Sequence, residues 1–503
     1  MSTHAQSSAI PTRQQRGGCA LIIGSGLAGL FTARVLSDFF ARVIIIERDV
    51  FPEQPDHRKG APQSHHTHGL SGRGQVILNQ FFPGLFADLR ADGADSATNM
   101  VAMVMVGPFG KLATQKQARE SLRFSRYLLE WHVYKRLEQR PEIEIVTNCE
   151  VTELLTTPDR SRVIGVKTRA RGATGEIKDF AADLVVDASG RNSQLPNWLK
   201  TLGYDAPPEE RVDSGLGYAS RFYEKPADFP NEWQNTFILP RYPDSPRSGT
   251  IAMVEHNRWH VTLGGVAGHF PPTDEEGFLR WAQELPDPTV YECLRIARPL
   301  TPIRGYRIRE NHIRHYEQLT RWPAGLLVIG DAICALNPIR GQGMALSAME
   351  ALTLNQCFAE QQKAPRPEFE RHVQQQLHKT ITDPWRFTLA EDMRWPGVTH
   401  SGAPLPLGFR LWQRYIDLVL RSAVNDSEVS RAFLTVYGML EPQSSLARPR
   451  ILWRVLRDSI FRKGIPDANN PFALSTKALA QLRNRPASAK SEGIETREHS
   501  PSS

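Results

Sequence analysis

The stretch that decides the fold is Cys19-Ala20-Leu21-Ile22-Ile23-Gly24-Ser25-Gly26-Leu27-Ala28-Gly29, an apolar strand that runs into a glycine-rich turn. In such a turn the first glycine allows the tight bend, the second lets a phosphate group approach the backbone, and the third lets a helix pack closely on the strand. The start of that helix offers free N–H groups and a positive dipole to an anion. The sequence therefore predicts a dinucleotide site at Gly24, Gly26, Leu27, Ala28 and Gly29.

The residues that follow the turn fit a strand–helix–strand unit of the parallel type. A helical pattern over 27–39 precedes an apolar strand over 43–47, which ends in Glu47. Glu47 comes eighteen residues after Gly29, and a carboxylate there can accept hydrogen bonds from ribose hydroxyls. Glycine-rich turns also arise for structural reasons alone, so the combined spacing of strand, helix and acid favours dinucleotide binding. At this point FAD and NAD(P) both remain open.

A second glycine-rich segment lies about 300 residues further along the chain. A strand-like run over 326–329 leads to Gly330-Asp331-Ala332, and the loop Asn337-Pro338-Ile339-Arg340-Gly341-Gln342-Gly343-Met344 then opens a helix over 345–358. Asp331 can accept hydrogen bonds from a polyol. The bared N–H groups and the helix dipole can stabilise negative charge on a reduced ring. This pattern suits a ligand that has a polyol chain and a ring that becomes negatively charged on reduction.

The two segments closely resemble the flavin-contacting motifs of the FAD-dependent aromatic hydroxylase and epoxidase superfamily. The resemblance implies that Asp331 holds the ribityl chain and that Pro338 and the 341–344 backbone line the flavin. It also implies that Val151 meets the adenine through backbone groups and that Arg48 lies against the adenosine half. The full set of FAD-contacting residues expected from the resemblance outside the first turn is Glu47, Arg48, Arg58, Gln63, Arg126, Val151, Asp187, Asp331, Pro338, Gly341, Gly343 and Met344.

The middle motif of that family, at 184–193 here, departs from the family pattern. Ser189-Gly190 stands where the aromatic hydroxylases have Asp-Gly, and Pro196 stands where they have an arginine. In the family this motif is linked to both FAD and the nicotinamide donor. The electron source is therefore left open between NAD(P)H and a separate flavin reductase.

Further stretches resemble bacterial flavoprotein monooxygenases that epoxidise polyene polyketides. These are 58–68, 187–199, and Asp383-Pro384-Trp385 with Asp392 and Pro396. The resemblance extends over about 18–396. It implies an FAD-dependent monooxygenase that inserts one oxygen atom of O2 into an apolar natural-product substrate, by epoxidation or hydroxylation, through a flavin C4a-hydroperoxide. Such chemistry is centred on the flavin, and no catalytic side chain is implied.

The alternation of strand and helix patterns predicts an α/β fold. It comprises a Rossmann-like FAD-binding domain of the glutathione-reductase type, an inserted and mainly antiparallel β-sheet domain for the substrate, and a C-terminal helical region. Tyr218, Phe222, Tyr223 and Trp259 are the expected substrate-pocket residues, although such aromatics more often belong to a core. The predicted divisions are a tail at 1–17, the FAD-binding domain at 18–205 and 301–390, the β-sheet domain at 206–300, the helical region at 391–484 and a tail at 485–503.

Composition excludes several other classes of protein. With 503 residues, 40% of them apolar, the chain can build a sizeable core. Five separated cysteines offer neither a disulfide framework nor a zinc site. His65, His66 and His68 have no carboxylate or cysteine at ligand spacing, so no metal is expected. Without an 18-residue apolar run or a signal sequence, the expected location is cytoplasmic, with no integral membrane segment.

Three classes of function are weighed. The first is the monooxygenase just described, acting on a small apolar molecule and O2. The second is an FAD-dependent reductase or dehydrogenase of a prenyl or polyketide substrate without oxygen chemistry. The third is a non-catalytic carrier, which has no need of the second flavin motif. Halogenation is disfavoured because a W-x-W-x-I-P segment is missing from the sequence.

The net charge of +7 comes without any nucleic-acid-binding signature, so nucleic acid is not an expected partner. A group of basic residues near the C-terminus suggests weak contact with a membrane or an acyl-carrier protein, and a solvated face is the simpler explanation. These residues are Arg448, Arg450, Arg454, Arg457, Arg462 and Lys463.

Overall fold

The computed structural model describes residues 17–97, 103–113, 121–172, 175–229, 235–461 and 476–487. The predicted N-terminal tail lies outside these ranges except for Gly17, and so do residues 488–503 of the predicted C-terminal tail, Arg462 and Lys463. Arg485, at the start of that second tail, is described and pairs with Asp228 at 2.7 Å.

Twenty strands are formed. In chain order they are β1 (Cys19–Ile23), β2 (Arg42–Ile46), β3 (Asp95–Ala97), β4 (Met103–Gly107), β5 (Gly110–Lys111), β6 (Ser121–Arg123), β7 (Ile143–Val146), β8 (Cys149–Thr156), β9 (Val163–Ala170), β10 (Ile177–Ala181), β11 (Leu184–Asp187), β12 (Glu209–Glu224), β13 (Asn235–Ile238), β14 (Arg247–Val254), β15 (Arg258–Gly265), β16 (Arg298–Pro299), β17 (Arg304–Arg314), β18 (Leu326–Val328), β19 (Cys334–Ala335) and β20 (Thr399–Ser401), all within the described residues.

Thirteen α-helices occur within the same described ranges. They are α1 (Leu27–Leu36), α2 (Gly72–Phe81), α3 (Leu85–Ala91), α4 (Arg126–Glu138), α5 (Leu195–Thr201), α6 (Glu275–Gln283), α7 (Thr289–Ile296), α8 (Gly343–Lys363), α9 (Phe369–Asp392), α10 (Phe409–Ala423), α11 (Ser427–Tyr437), α12 (Pro449–Phe461) and α13 (Thr476–Arg483). None of the described helices is both long and apolar enough to cross a bilayer.

A five-stranded parallel sheet in the order β18-β11-β1-β2-β7 forms the centre of the FAD-binding domain. In β1 and β2 every residue after the first is buried, which is typical of a parallel sheet covered on both faces. The helix predicted over 27–39 ends at Leu36, and the strand predicted over 43–47 ends at Ile46. Glu47 is therefore the first residue after β2.

Backbone hydrogen bonds bring the ends of these parallel strands together. Gly24 N donates to Ile46 O at 2.8 Å, Ala188 N to Ile23 O at 3.0 Å, and Ile329 N to Asp187 O at 3.0 Å. A three-stranded antiparallel sheet, β10-β9-β8, joins the same edge, because Cys149 N donates to Glu47 O at 2.9 Å. The segments that carry the predicted FAD-contacting residues thus meet at one edge of the parallel sheet.

The second large element is a ten-stranded sheet in the order β19-β17-β12-β15-β14-β13-β4-β5, with β16 and β20 also paired to β12. Its pairs are antiparallel except for β13 with β4. The predicted range 206–300 supplies β12 to β16, whereas β4 and β5 come from before it and β17, β19 and β20 from after it. Helices α6 and α7 pack on one face of this sheet.

The C-terminal part of the described chain is mainly helical, as the sequence pattern indicates, with β20 as a short strand inside it. Buried residues of α10, α11 and α12, such as Val419, Val429 and Val455, form one cluster with Met105 and Leu112 near the edge of the ten-stranded sheet. The helical unit is therefore packed against the sheet domain. The predicted domain division as a whole stays a prediction.

Candidate functional site

The glycine turn after β1 is shaped by close backbone contacts. Gly24 has a φ of +97°, and a Cβ there would lie 2.8 Å from Ala188 O. A Cβ on Gly29 would lie 2.0 Å from Gly24 O, so only glycine allows α1 to pack this closely. A Cβ on Gly26, in contrast, meets no described atom within 4 Å. The turn thus leaves open space beside Gly26 at the start of α1, where a phosphate group would fit.

Glu47 connects this turn to the end of β2. Its side chain is buried; Ser25 N donates to Glu47 Oε2 at 2.7 Å, and Asp49 N donates to Oε1 at 2.9 Å. Oε2 also accepts from the Ser25 hydroxyl at 2.5 Å, whereas Oε1 keeps a further lone pair that can accept from a ribose hydroxyl. Glu47 lies beside the glycine turn, as the spacing in the sequence predicts.

Two partly buried arginines and a buried glutamate border the site on the α4 side. Arg58 donates from Nη2 to Ser25 O at 3.0 Å and to Glu130, and its Nη1 lies 3.6 Å from Glu47 Oε2. Arg126, the first residue of α4, has its Nε 3.7 Å from Glu130 Oε2. Although burial opposes the charge, Glu130 and Glu47 raise the pKa of Arg58. Positive charge is thereby fixed beside the glycine turn, which suits an anionic ligand.

The second motif contacts the first directly. Gly330 has a φ of +71°, and a Cβ there would lie 2.7 Å from the Ala28 Cβ. Asp331, next in the chain, is exposed, while its carbonyl oxygen lies 3.2 Å from His312 Nε2. The carboxylate is thus available to a ligand that also occupies the glycine turn.

Asp392, at the end of α9, holds the loop that carries Pro338. Asn337 Nδ2 donates to Asp392 Oδ1 at 2.9 Å, Asn311 Nδ2 donates to Oδ2 at 2.8 Å, and Arg340 Nη2 lies 3.6 Å from Oδ1. Asn337 Oδ1 in turn accepts from Ile339 N at 3.1 Å. Burial raises the pKa of Asp392 to about 6. One buried carboxylate therefore ties this loop to β17 and to α9.

The end of the loop leads into α8. Gly341 has a φ of +64°, and neither it nor Gly343 would bring a Cβ within 3.4 Å of a described atom. Met344 is buried, and Gln342 donates from Nε2 to Tyr437 O at 3.0 Å, which links the loop to α11. The backbone at 341–343 therefore leaves room for a planar group at the start of a 21-residue helix.

Glu350 on α8 supports the Gly330 turn from inside the protein. It is fully buried, and its Oε1 accepts from Gly330 N at 3.2 Å. Burial, together with the nearby charge of Asp331, raises the pKa of Glu350 to about 8. A largely protonated carboxyl group thus lies beneath Asp331 at neutral pH.

A cavity of about 320 Å³ lies beside the Pro338–Gln342 loop. Its walls come from the segment 66–75, one face of the ten-stranded sheet, the Pro338–Gln342 loop, and α11 with the residues after it. Apolar wall residues include Leu70, Ala113, Leu122, Phe124, Phe237, Ala252, Met253, Val254, Ile339, Leu434 and Leu440. The volume is within the range of small-molecule pockets.

Strand alternation decides which of the four predicted pocket aromatics reach this cavity. Tyr218 lines it. Phe222 lies on the same face of β12 but two side chains further along, stacked on His260 at 3.9 Å. Tyr223 and Trp259 are paired on the opposite face, in the core formed with α6 and α7. Tyr223 and Trp259 therefore face away from the cavity, because successive side chains of a strand point to opposite faces. Phe222 is buried on the cavity side of the sheet but lies outside the cavity lining, so all three are core residues here.

The histidines of the 57–68 segment pack onto the cavity face of the sheet. His66 Nδ1 lies 2.8 Å from Ser220 Oγ, and His68 Nδ1 donates to His66 O at 2.7 Å, which leaves its Nε2 to accept from Arg126 Nη1 at 3.4 Å. Burial lowers the pKa of His66 and of His68 to about 3. Both imidazoles are therefore neutral at physiological pH and serve as packing and hydrogen-bonding groups.

Residues 19–369 of the chain match a family described as FAD binding domain. The chain belongs to this FAD-binding monooxygenase family of the aromatic hydroxylase type. The match covers both glycine-rich motifs and the segments between them. The family and the geometry therefore agree on FAD as the ligand of the site that these two motifs form together.

Two relatives illustrate the range of the family. The chain is 30% identical over 450 residues to Protein Rv3254 of Mycobacterium tuberculosis, covering 88% of this chain and 94% of the relative. It is 24% identical over 364 residues to kynurenine 3-monooxygenase of Salinispora tropica, covering 67% of this chain and 72% of the relative.

Solved structures share the fold at lower sequence identity. A flavoprotein/dehydrogenase from Cytophaga hutchinsonii has a TM-score of 0.61 at 14% identity, covering 88% of this chain and 99% of that one. The flavin-dependent halogenase CmlS has a TM-score of 0.55 at 16% identity, covering 93% and 76%. At these identities the likeness shows the flavoprotein fold alone.

Several predicted FAD-contacting residues of the family have other partners in this structure. Asp187 is fully buried, and its carboxylate accepts from Ser189 N at 3.0 Å and from the Ser193 hydroxyl, so it stabilises its own loop. Arg48 is exposed, and Gln63 lies half-buried in a short 3₁₀ turn over Pro62–His65. Val151 lies on β8, which adjoins Glu47 through Cys149. Their contacts to FAD stay predictions.

A charged cluster outside the FAD site was not anticipated from the sequence. Within the described residues, ligand-type atoms of His315, Glu317 and His378 lie within 4.8 Å of one another. His315 donates from Nδ1 to Glu317 at 2.9 Å and from Nε2 to Glu210 at 2.9 Å. Burial lowers its pKa, but these hydrogen bonds outweigh that effect and raise it to about 9. A protonated imidazole therefore lies between two carboxylates in this cluster.

Sequence reasoning also missed Glu350 and the roles of Asp392 and α11. Asp392 was noted only within a family-like stretch, and the C-terminal helices were expected to be a separate region. The sequence signals were an acidic residue, Glu350, among the mainly apolar buried residues of α8 and an acidic residue, Asp392, at the end of α9. Neither signal specifies a partner more than a few residues away.

Proposed function

We propose that this protein is an FAD-dependent monooxygenase that inserts one oxygen atom of O2 into an apolar natural-product substrate, by epoxidation or hydroxylation. The observation that carries the proposal is the cavity of about 320 Å³, bounded by the Pro338–Gln342 loop on one side and the inserted sheet on another. A substrate there would lie against the loop that the family places along the flavin.

The residues present fit FAD along the joined motifs. The open space at Gly26 and the start of α1 would receive the pyrophosphate, and Glu47 would accept from the adenosine ribose. Asp331 would accept from the ribityl chain, with Pro338 and the 341–344 backbone along the ring system. Bound FAD would supply the two-electron and oxygen chemistry, while the chain binds, orients and shields.

The cavity walls explain what the protein itself contributes. Apolar side chains from the sheet, the loop and α11 would desolvate an apolar substrate and exclude water. Two histidines, His66 and His68, line the cavity. Burial lowers the pKa of each to about 3, so both are poor general bases at neutral pH. Epoxidation of an alkene needs no such base, whereas phenol hydroxylation benefits from one. The site therefore favours an alkene or another substrate that needs no deprotonation.

The middle motif bears on the electron source. Ser189-Gly190 and Pro196 replace the family's Asp-Gly pair and arginine, and Asp187 is used within its own loop. We propose that electrons come from NAD(P)H bound weakly or from a separate flavin reductase. Comparing anaerobic flavin reduction by NADH, NADPH and a reductase-coupled system separates these donors.

The monooxygenase proposal is tested by following reoxidation of the flavin. The holoprotein is reduced without oxygen and mixed rapidly with O2 while the visible spectrum is recorded. A transient absorbance band, distinct from those of oxidised and reduced flavin, supports oxygen activation. Direct return to oxidised flavin would instead support a reductase or dehydrogenase. A protein that cannot be reconstituted with FAD would overturn both.

A further inference from the structure

Helix α12 (Pro449–Phe461) has two apolar faces rather than one. Ile451 and Val455 are buried against α10 and α11. Leu452, Leu456 and Ile460 follow one another at four-residue spacing on the outer side, with exposed fractions of 37%, 43% and 73%. A surface helix normally turns polar residues to that side, so the outer row needs another explanation.

Trp453 extends this outer face. Its side chain is exposed by 66%, and on a helical wheel it lies next to Ile460. On the packed neighbour α10, Leu411 is also exposed, by 68%. Scattered apolar side chains on a surface are ordinary, but a continuous row on one helix marks a contact site.

Arginines border the apolar row. Arg450 and Arg457 follow Trp453 around the helix, and Arg454 comes next. Arg450 pairs with Glu428 at 2.9 Å and Arg454 with Asp426 at 2.7 Å, whereas Arg457 stays 3.9 Å from Asp426. Residues 407–461 hold eight arginines against five acidic residues, a net charge of +3, and Arg462 and Lys463 follow directly in the sequence. This helical segment thus combines an exposed apolar row with a net positive charge.

We propose that the outer face of α12 binds the surface of an anionic lipid bilayer, with the helix lying in the plane of the interface. A tryptophan, leucines and an isoleucine beside arginines are the composition of interfacial helices, whose apolar side enters the headgroup region while the cations meet lipid phosphates. A second copy of the chain is a poorer partner, because pairing this face with itself would bring like charges together.

This placement gives a route for the substrate, an argument that rests on the proposed function. Helix α11 packs against α12 and supplies Arg431, Leu434 and Thr435 to the cavity wall. An apolar substrate dissolved in lipid would then be concentrated beside the wall of the cavity. The enzyme would need no carrier to keep such a molecule in solution.

The test is flotation of the holoprotein with lipid vesicles at low salt. We expect association with vesicles of phosphatidylcholine and phosphatidylglycerol, little association with phosphatidylcholine alone, and release in high salt. The double variant Trp453→Ser/Ile460→Ser is expected to lower the partition coefficient about tenfold or more. The visible flavin spectrum reports whether each variant stays folded and loaded.

The matched control is Ile177→Ser on β10, a residue exposed by 66% on the FAD-binding domain. It should bind anionic vesicles like the unchanged protein. The proposal would be overturned if the protein did not associate with anionic vesicles at low salt. It would also be overturned if Ile177→Ser lost as much vesicle binding as the double variant. A third contrary result would be a dimer of the unchanged protein, seen by sedimentation velocity without lipid, that becomes a monomer in the double variant. Because flotation needs no turnover, its failure is distinguishable from failure of the monooxygenase proposal.

Discussion

Replacing Glu350 with glutamine is expected to change how the stability of the protein depends on pH. Glu350 is fully buried, its Oε1 accepts from Gly330 N at 3.2 Å, and its Oε2 has no hydrogen-bond partner among the described residues. Burial and the neighbouring Asp331 raise the pKa from 4.5 to about 8. The folded protein therefore keeps a proton that the unfolded chain has already lost at neutral pH.

The sign and size follow from proton linkage. The stabilising effect of the raised pKa is complete below pH 4.5 and is lost as pH rises through about 8. In that window each pH unit costs the folded state about 1.4 kcal/mol. At pH 7 the cost is about 3 kcal/mol relative to acidic pH. Glutamine has no proton to lose, so the variant escapes this cost.

Melting temperatures of the unchanged protein and of Glu350→Gln, measured as holoproteins from pH 5 to pH 8, test the expectation. A 503-residue chain has an unfolding entropy of about 1 kcal/mol per kelvin. The variant should therefore gain about 2–3 K on the unchanged protein between pH 5 and pH 7. Glu360→Gln is the control, since Glu360 is exposed on the same helix. A difference that stays constant with pH would refute the reasoning.

Four other substitutions test the site and its supports. Asp392→Asn places an amide donor against Asn337 or Asn311, which should cost about 1–3 kcal/mol of stability and weaken FAD binding in a titration of apoprotein. Gly26→Ala should fold with an unchanged melting temperature but bind FAD about tenfold or more weakly, whereas Gly29→Ala should fail to fold, because its Cβ would lie 2.0 Å from Gly24 O. His315→Gln should lower stability by about 3 kcal/mol near pH 6 and much less at pH 9.5, because the stabilisation from its raised pKa is lost as pH rises through about 9.

Each of these has a contrasting control. Asp383→Asn changes a carboxylate on the same helix as Asp392 that accepts from Gln443 at 3.0 Å, and it should leave FAD affinity unchanged. Equal behaviour of the two alanine variants would contradict the account of the glycine turn. A pH-independent loss in His315→Gln would mean that the imidazole is neutral between its two carboxylates.

The FAD-binding edge could be predicted from the sequence because its determinants are local. Each determinant can be recognised from residues close to the end of a strand. These determinants are the glycine turn, Glu47 and the Gly330-Asp331 turn. That Gly330 touches Ala28 then follows from the parallel strand order, since the carboxyl ends of neighbouring strands share one edge.

The cavity could not be predicted in the same way, because its walls depend on contacts between distant segments. Alternation along β12 and β15 separates Tyr218 from Tyr223 and Trp259, but nothing in the strand itself says which face is covered by α6 and α7. Likewise, Asp392 gives no sign that its partners are Asn311 and Asn337. These outcomes are decided by tertiary packing.

The division of the cavity wall between two parts of the chain has a consequence for how such enzymes diversify. The match to the cofactor-binding family ends at residue 369, whereas the wall formed by 427–440 lies beyond it. Exchanging the last fifth of the chain between relatives would therefore reshape the cavity while leaving both cofactor-binding motifs intact. Chimeras joined within the 393–408 connection should keep FAD binding and shift their substrate preference toward that of the C-terminal parent.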